Sequence, residues 1–286
     1  MPMFNPRETA DNYIDNSVGK AKSPLWRLFV LGIAAGILIS LGAVSSSTAA
    51  HALDNVGLVR LVTALVFPIG LCMVVLLGTE LFTGNVLMVT AVLKKKITWA
   101  GLARNWAIVY VGNLVGSLAL ALLMAAFGQM DIGAKAVAVY TAKVAAYKSG
   151  LPWMNAFVLG IFCNMLVCVA VYMGSTAQDT AGKILGLYLP IIAFVASGFE
   201  HSIANMYYIP AGIFANMNPA YAQLIADAGI NTAALNFGTF VSANLIPVTL
   251  GNIVGGLGVG LLMYFAHASR TKKDTITNQG PTNPRQ

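Results

Sequence analysis

Very few side chains in this chain could do chemistry. The long apolar stretches hold two carboxylates, Glu80 and Glu200, and one histidine well inside a stretch, His201. Ionisable groups surrounded by that much hydrocarbon are expensive, which makes them functional candidates. An imidazole titrates near neutral pH, so His201 could take and release a proton at a gate; otherwise it is a core ring satisfied by its neighbours. A carboxylate beside irregular backbone can accept from orphan N–H groups and hold a loop, the role expected of Glu80 and Glu200. Thr83 follows Glu80 by three residues. Its hydroxyl either donates to a passing anion or to His201, or bonds its own helix carbonyl. Asn164 and Asn252 are buried amides that need partners; the first is assigned to a path through the protein, the second to a tie between helices. Lys148 either stays solvated at an interface or turns inward, where it would draw anions. His51 and His267 sit at the ends of apolar stretches, where water reaches them.

Other chemistries are poorly supported. Cys72, Cys163 and Cys168 all fall inside apolar stretches without metal-ligand spacing, so they are read as small core residues. No nucleophile triad, metal cluster or cofactor motif is present, so neither an enzyme nor a bound cofactor is expected.

The elements that position these residues are membrane spans. The chain has 286 residues, 57% hydrophobic and 9% charged, against about 25% charged in an ordinary soluble domain. Such a surface needs lipid to cover it. The net charge of +7 is carried by tails and short loops without interleaved aromatics, so no nucleic-acid partner is expected. The first 25 residues are polar, so no cleavable signal peptide is expected. Six stretches reach the length of a span, roughly Leu28–Ala50, Leu58–Leu93, Asn105–Phe127, Trp153–Met173, Ile184–Phe214 and Phe237–Ala266. They define a channel domain over residues 28–268, between a segment at 1–27 and a tail at 269–286. The second and fifth are too long for one plain crossing, and each is interrupted by glycine and polar residues around Glu80 and Glu200. Broken backbone at membrane depth survives only inside protein or against a wet cavity.

Lys and Arg cluster at residues 7–27, 94–104 and 270–285, with Lys183 between the fourth and fifth spans, which puts both termini in the cytoplasm. Lys135, Lys143 and Lys148 break that rule. Their segment reads as a short amphipathic helix dipping into the bundle. Residues 5–23 read as a mobile amphipathic helix at the membrane face, with Tyr13, Ile14 and Val18 on its apolar side.

The two halves echo each other. Glu80 precedes Asn85 by five residues, as Glu200 precedes Asn205; Asn105 precedes Asn113 by eight, as Asn244 precedes Asn252. Three spans per half invert the second half, with a site at the midplane where the broken helices meet. Glycines along the last span, such as Gly251 and Gly255, allow close helix contact.

Four segments carry a resemblance: Leu81–Gly84, Gly112–Gly116, Cys163–Val167 and above all Ala196–Met206. They are similar to the formate/nitrite transporter family over nearly the whole chain. The resemblance implies an aquaporin-like fold, a homopentamer in the cell's inner (plasma) membrane with one pore per subunit, and passage of a small monovalent anion. Formate is favoured, with nitrite and hydrosulfide as alternatives, and protons take part. It implies that His201 is the central pore histidine, Thr83 the threonine of the loop facing it, Asn164 a pore amide, Lys148 a vestibule cation and Glu200 a scaffold carboxylate. Phe67, Leu71, Leu81, Val167 and Phe194 fall where apolar constrictions are expected. The rival within the membrane class is a neutral-solute channel, but Asn218-Pro219-Ala220 lies in a connecting loop rather than at a break.

Overall fold

A computed structural model describes residues 2–268; the tail assigned to 269–286 lies outside the described residues. In chain order the helices are α1 (Pro6–Lys22), α2 (Leu25–Ala50), α3 (Val56–Leu76), α4 (Phe82–Leu93), α5 (Trp99–Ala126), α6 (Ala136–Ser149), α7 (Trp153–Thr176), α8 (Thr180–Ser197), α9 (Ser202–Met217), α10 (Pro219–Asp227) and α11 (Phe237–Ala268). Six of them, α2, α3, α5, α7, α8 and α11, are long and apolar enough to cross a membrane. Their outward faces carry large apolar side chains, including Trp26, Leu61, Leu189 and Leu262, each more than half exposed. That is the surface of a multi-pass membrane protein.

The second and fifth spans are each two helices in series, α3 with α4 and α8 with α9. Both first halves stop at a left-handed glycine, Gly78 (φ +66°) and Gly198 (φ +72°), a conformation L residues rarely adopt. Behind each, two N–H groups fold back onto the last turn: Gly78 and Thr79 bond the Val75 and Val74 carbonyls, and Gly198 and Phe199 bond those of Val195 and Phe194.

The repeat extends further than the spans. Lys20 lies four residues before Pro24, which begins α2, as Lys148 lies four before Pro152, which begins α7. Thus α1 and α6 are corresponding elements, each returning towards a break. Helix α6 dips into the bundle as its pattern implies, burying Val137, Ala138, Thr141, Ala142 and Ala145. Helix α1 packs under the first break, with Tyr13 and Ile14 buried and the Tyr13 hydroxyl donating to the Gly84 carbonyl at 3.1 Å. The chain start adds to this anchorage, since the Phe4 N–H donates to the Thr176 carbonyl at 2.8 Å.

Each half is held by one close helix crossing, α2 on α5 in the first and α7 on α11 in the second. A Cβ at Gly116 would sit 2.1 Å from the Ile33 carbonyl oxygen, and one at Gly255 2.0 Å from that of Ile161. Backbones this close leave no room for any side chain, so small residues set the crossing.

Candidate functional site

The breaks bring their polar residues to one place. In the first, residues 77–81 connect α3 to α4; in the second, residues 198–201 connect α8 to α9. His201 caps the start of α9: its Nδ1 accepts from the Ala204 N–H at 3.2 Å. An amide can only donate, so the proton of the neutral ring belongs on Nε2. Nε2 lies 2.9 Å from the Thr83 Oγ1, across 118 residues of sequence. The Thr83 hydroxyl faces His201, but with the proton on Nε2 it accepts from the ring rather than donating to it. The Thr83 carbonyl is held from behind, by Asn164 Nδ2 at 3.2 Å and by the Cys168 thiol at 3.6 Å. All three cysteines are free and buried.

Two asparagines build the breaks. Asn252 Oδ1 accepts from the Ser202 N–H at 2.9 Å, while its Nδ2 donates to the carbonyls of Gly160 and Glu200 at 2.8 and 3.0 Å. Asn113 repeats this set on the Phe82 N–H and the carbonyls of Gly32 and Glu80. Here the expectation for the glutamates needs correcting: amides, not carboxylates, take the orphan N–H groups. Glu80 and Glu200 instead accept from side chains. Glu200 takes Lys148 Nζ at 2.8 Å and Asn205 Nδ2 at 2.7 Å; Glu80 takes Lys20 Nζ at 3.1 Å and Asn85 Nδ2 at 2.6 Å. Each buried carboxylate is thereby paired and hydrogen-bonded, which is what makes a charge tolerable at that depth. Asn164 bridges rather than only lines: its Nδ2 also reaches the Asn252 carbonyl at 2.7 Å, and its buried Oδ1 has no partner among the described residues.

Lys148 turns inward, with its ammonium 5.4 Å from the centre of the Tyr208 ring. Sequence reading does not single out Lys20, its counterpart on α1. The signal that would have found it is the shared spacing of each lysine to the proline that opens the next helix.

A cavity of about 680 Å³ opens on the face away from α1 and leads down to His201. Phe67 and Phe194 line its floor, packed edge to face with centroids 5.7 Å apart, and Phe194 stands 6.0 Å from the His201 ring. Leu71, Leu81 and Val167 are buried in the same core without lining this cavity. Leu81 holds the position in the first break that His201 holds in the second, one residue after the glutamate. One break therefore presents an apolar side chain where the other presents a titratable one.

An all-helical inverted repeat, with two broken spans meeting at a buried hydroxyl–imidazole pair and a cavity leading to it, has the build of a membrane channel or transporter. The model of the family described as formate/nitrite transporter matches residues 7–266, and the chain belongs to that family. Among its relatives, the formate channel FocA of Haemophilus influenzae is 40% identical, covering 88% of this chain and 90% of that protein. A probable formate transporter of Methanothermobacter thermautotrophicus is 40% identical over 92% of this chain and 97% of its own length. Of solved structures, a pentameric formate channel with formate bound matches at 37% identity and a TM-score of 0.74, covering 85% of this chain and 96% of its own. An FNT family ion channel matches at 29% identity and a TM-score of 0.77, covering 91% and 98%.

Proposed function

We propose that this protein passes formate through a pore in each subunit, exchanging a proton with it at His201. The observation that carries this reading is the Thr83–His201 contact at 2.9 Å, set below an aromatic constriction where a bare anion would lose its water. Stripping a carboxylate of water there costs many kcal/mol unless it is neutralised. To hand over a proton, His201 must first gain one at Nδ1, displacing the Ala204 N–H. The Nε2–H facing Thr83 is then the acidic one. Imidazolium and formate become neutral imidazole and formic acid, which crosses the apolar layers formed by Phe67, Leu71, Leu81, Val167 and Phe194. The Thr83 hydroxyl orients the anion for this step, and Asn164 holds Thr83 in place through the two amide hydrogens it gives to the Thr83 and Asn252 carbonyls. The test is flux into liposomes of formate, nitrite, hydrosulfide and glycerol. Formate and a proton should enter together; glycerol entering faster than every anion would overturn the reading.

Lys148 supplies positive charge to the far vestibule and steers anions towards His201. Lys148→Ala is expected to raise the half-saturating formate concentration about tenfold, a loss of roughly 1.4 kcal/mol of attraction. Because this change also strands the Glu200 carboxylate, the Lys148→Ala/Glu200→Gln pair should recover part of the loss. A maximal rate that collapses at unchanged half-saturation would move Lys148 from the vestibule into the central step.

Likeness to the pentameric channel supports a homopentamer, and the Lys/Arg bias of the tails and short loops supports an inner-membrane protein with both termini in the cytoplasm. Light scattering of the detergent complex should give five copies per particle, and a monomer or tetramer would remove this claim.

A further inference from the structure

The far-side cavity is much larger than formate needs. At about 680 Å³ it falls within the roughly 300–1,000 Å³ of sites that enclose whole organic ligands. Its walls are largely aromatic and aliphatic, with Tyr140, Phe199 and Tyr208 among them, and its floor is the Phe67–Phe194 pair. A flat ring entering from that face would find apolar contact on the walls and a closed floor.

The cations lining the cavity are not equivalent. Lys148 is engaged by Glu200, while Lys143 and Arg60 are both exposed to solvent. Arg60 has no side-chain hydrogen bond or ion pair among the described residues; Asp54, on the same wall, makes no ion pair with it. The guanidinium is nevertheless placed. It lies against the left-handed turn at Gly198, where a Cβ would meet Nη1 at 2.7 Å and Cζ at 3.3 Å. A guanidinium resting on that turn with its donors unspent is suited to grip a carboxylate by both oxygens.

We propose that this cavity binds an organic monocarboxylate with an aromatic or bulky apolar body, its carboxylate on Arg60, and that such a ligand blocks the pore. The blocking half rests on the cavity being formate's vestibule; the binding half does not. Both are tested on the full-length protein with benzoate as the probe. Calorimetry in detergent reads binding, and formate flux into proteoliposomes reads block, with protein-free liposomes correcting for benzoate that crosses lipid. Benzoate should bind the parent and slow its formate uptake. Arg60→Ala should raise the half-blocking concentration about tenfold, the loss of one charge-assisted contact, while uninhibited uptake stays within about twofold; Arg60→Lys should fall between. No heat of binding in the parent, or equal heat in parent and Arg60→Ala, overturns the site. Arg60-dependent heat with no formate flux upholds the site and sinks the transport reading instead.

Discussion

Replacing His201 with asparagine is expected to abolish acid-driven formate uptake while leaving the protein folded. The fold should survive because the histidine's local task is to cap α9, accepting the Ala204 N–H through Nδ1. Asparagine is among the best residues for that position, and its side-chain oxygen can take over the bond. What it cannot do is titrate. In the parent, acidifying the side from which formate enters supplies the proton that His201 passes on and favours the neutral permeant, so uptake rises as pH falls. In the variant that rise should vanish. Gradient-driven uptake should drop at least about tenfold, since even 1.4 kcal/mol of lost neutralisation gives that factor and the desolvation of a bare carboxylate exceeds it. A residual flow independent of the gradient is compatible, carried past Thr83 as a plain hydroxyl donor. Flux measured across pH with and without an imposed proton gradient decides the matter. If His201→Asn follows the gradient as the parent does, the anion crosses charged and His201 is not its proton source.

Much of this architecture was legible because hydrocarbon is an unforgiving solvent. Span lengths, the two breaks and the isolation of His201 follow from where polar residues can stand at depth, and the bundle is built as that logic requires. The repeat was legible through asparagine spacing. Its full extent was not, because α1 is polar and short enough to pass for a surface helix; only the buried contact of Tyr13 with Gly84 and of Lys20 with Glu80 shows that it belongs to the first break. The glutamates were misjudged for a related reason. A carboxylate and an amide oxygen can both accept from a stray N–H, and nothing in one-dimensional spacing says that α5 and α11 swing Asn113 and Asn252 into that place first. The cavity wall at Arg60 was out of reach altogether, since residue 60 meets Gly198 only through the packing of α3 beside α8.

Asn252→Ala should be the more damaging change to the structure itself. The side chain is fully buried and joins three elements: it receives the first N–H of α9, ties the Glu200 carbonyl ahead of His201, and reaches the Gly160 carbonyl on α7. Alanine leaves those groups without this partner where no water is at hand, at about 1–3 kcal/mol for each group left unsatisfied. Thermal unfolding of the purified variant should begin roughly 5 °C or more below the parent. Flux should be lost as well, because the break that carries His201 is no longer held against α11. Asn113→Ala provides the comparison, since its three bonds on the Phe82 N–H and the carbonyls of Gly32 and Glu80 match those of Asn252 one for one. The two variants should therefore lose similar stability. Any flux that remains should differ: Asn113→Ala loosens the break presenting Leu81 and Thr83 and leaves His201 capped, so its remaining uptake should still follow the proton gradient. Asn252→Ala loosens the break presenting His201, so its remaining uptake should not. An Asn252→Ala protein that melts with the parent would show that the tie is not what holds the second break, and α9 would then have to be kept in place by the Lys148–Glu200–Asn205 bonds alone.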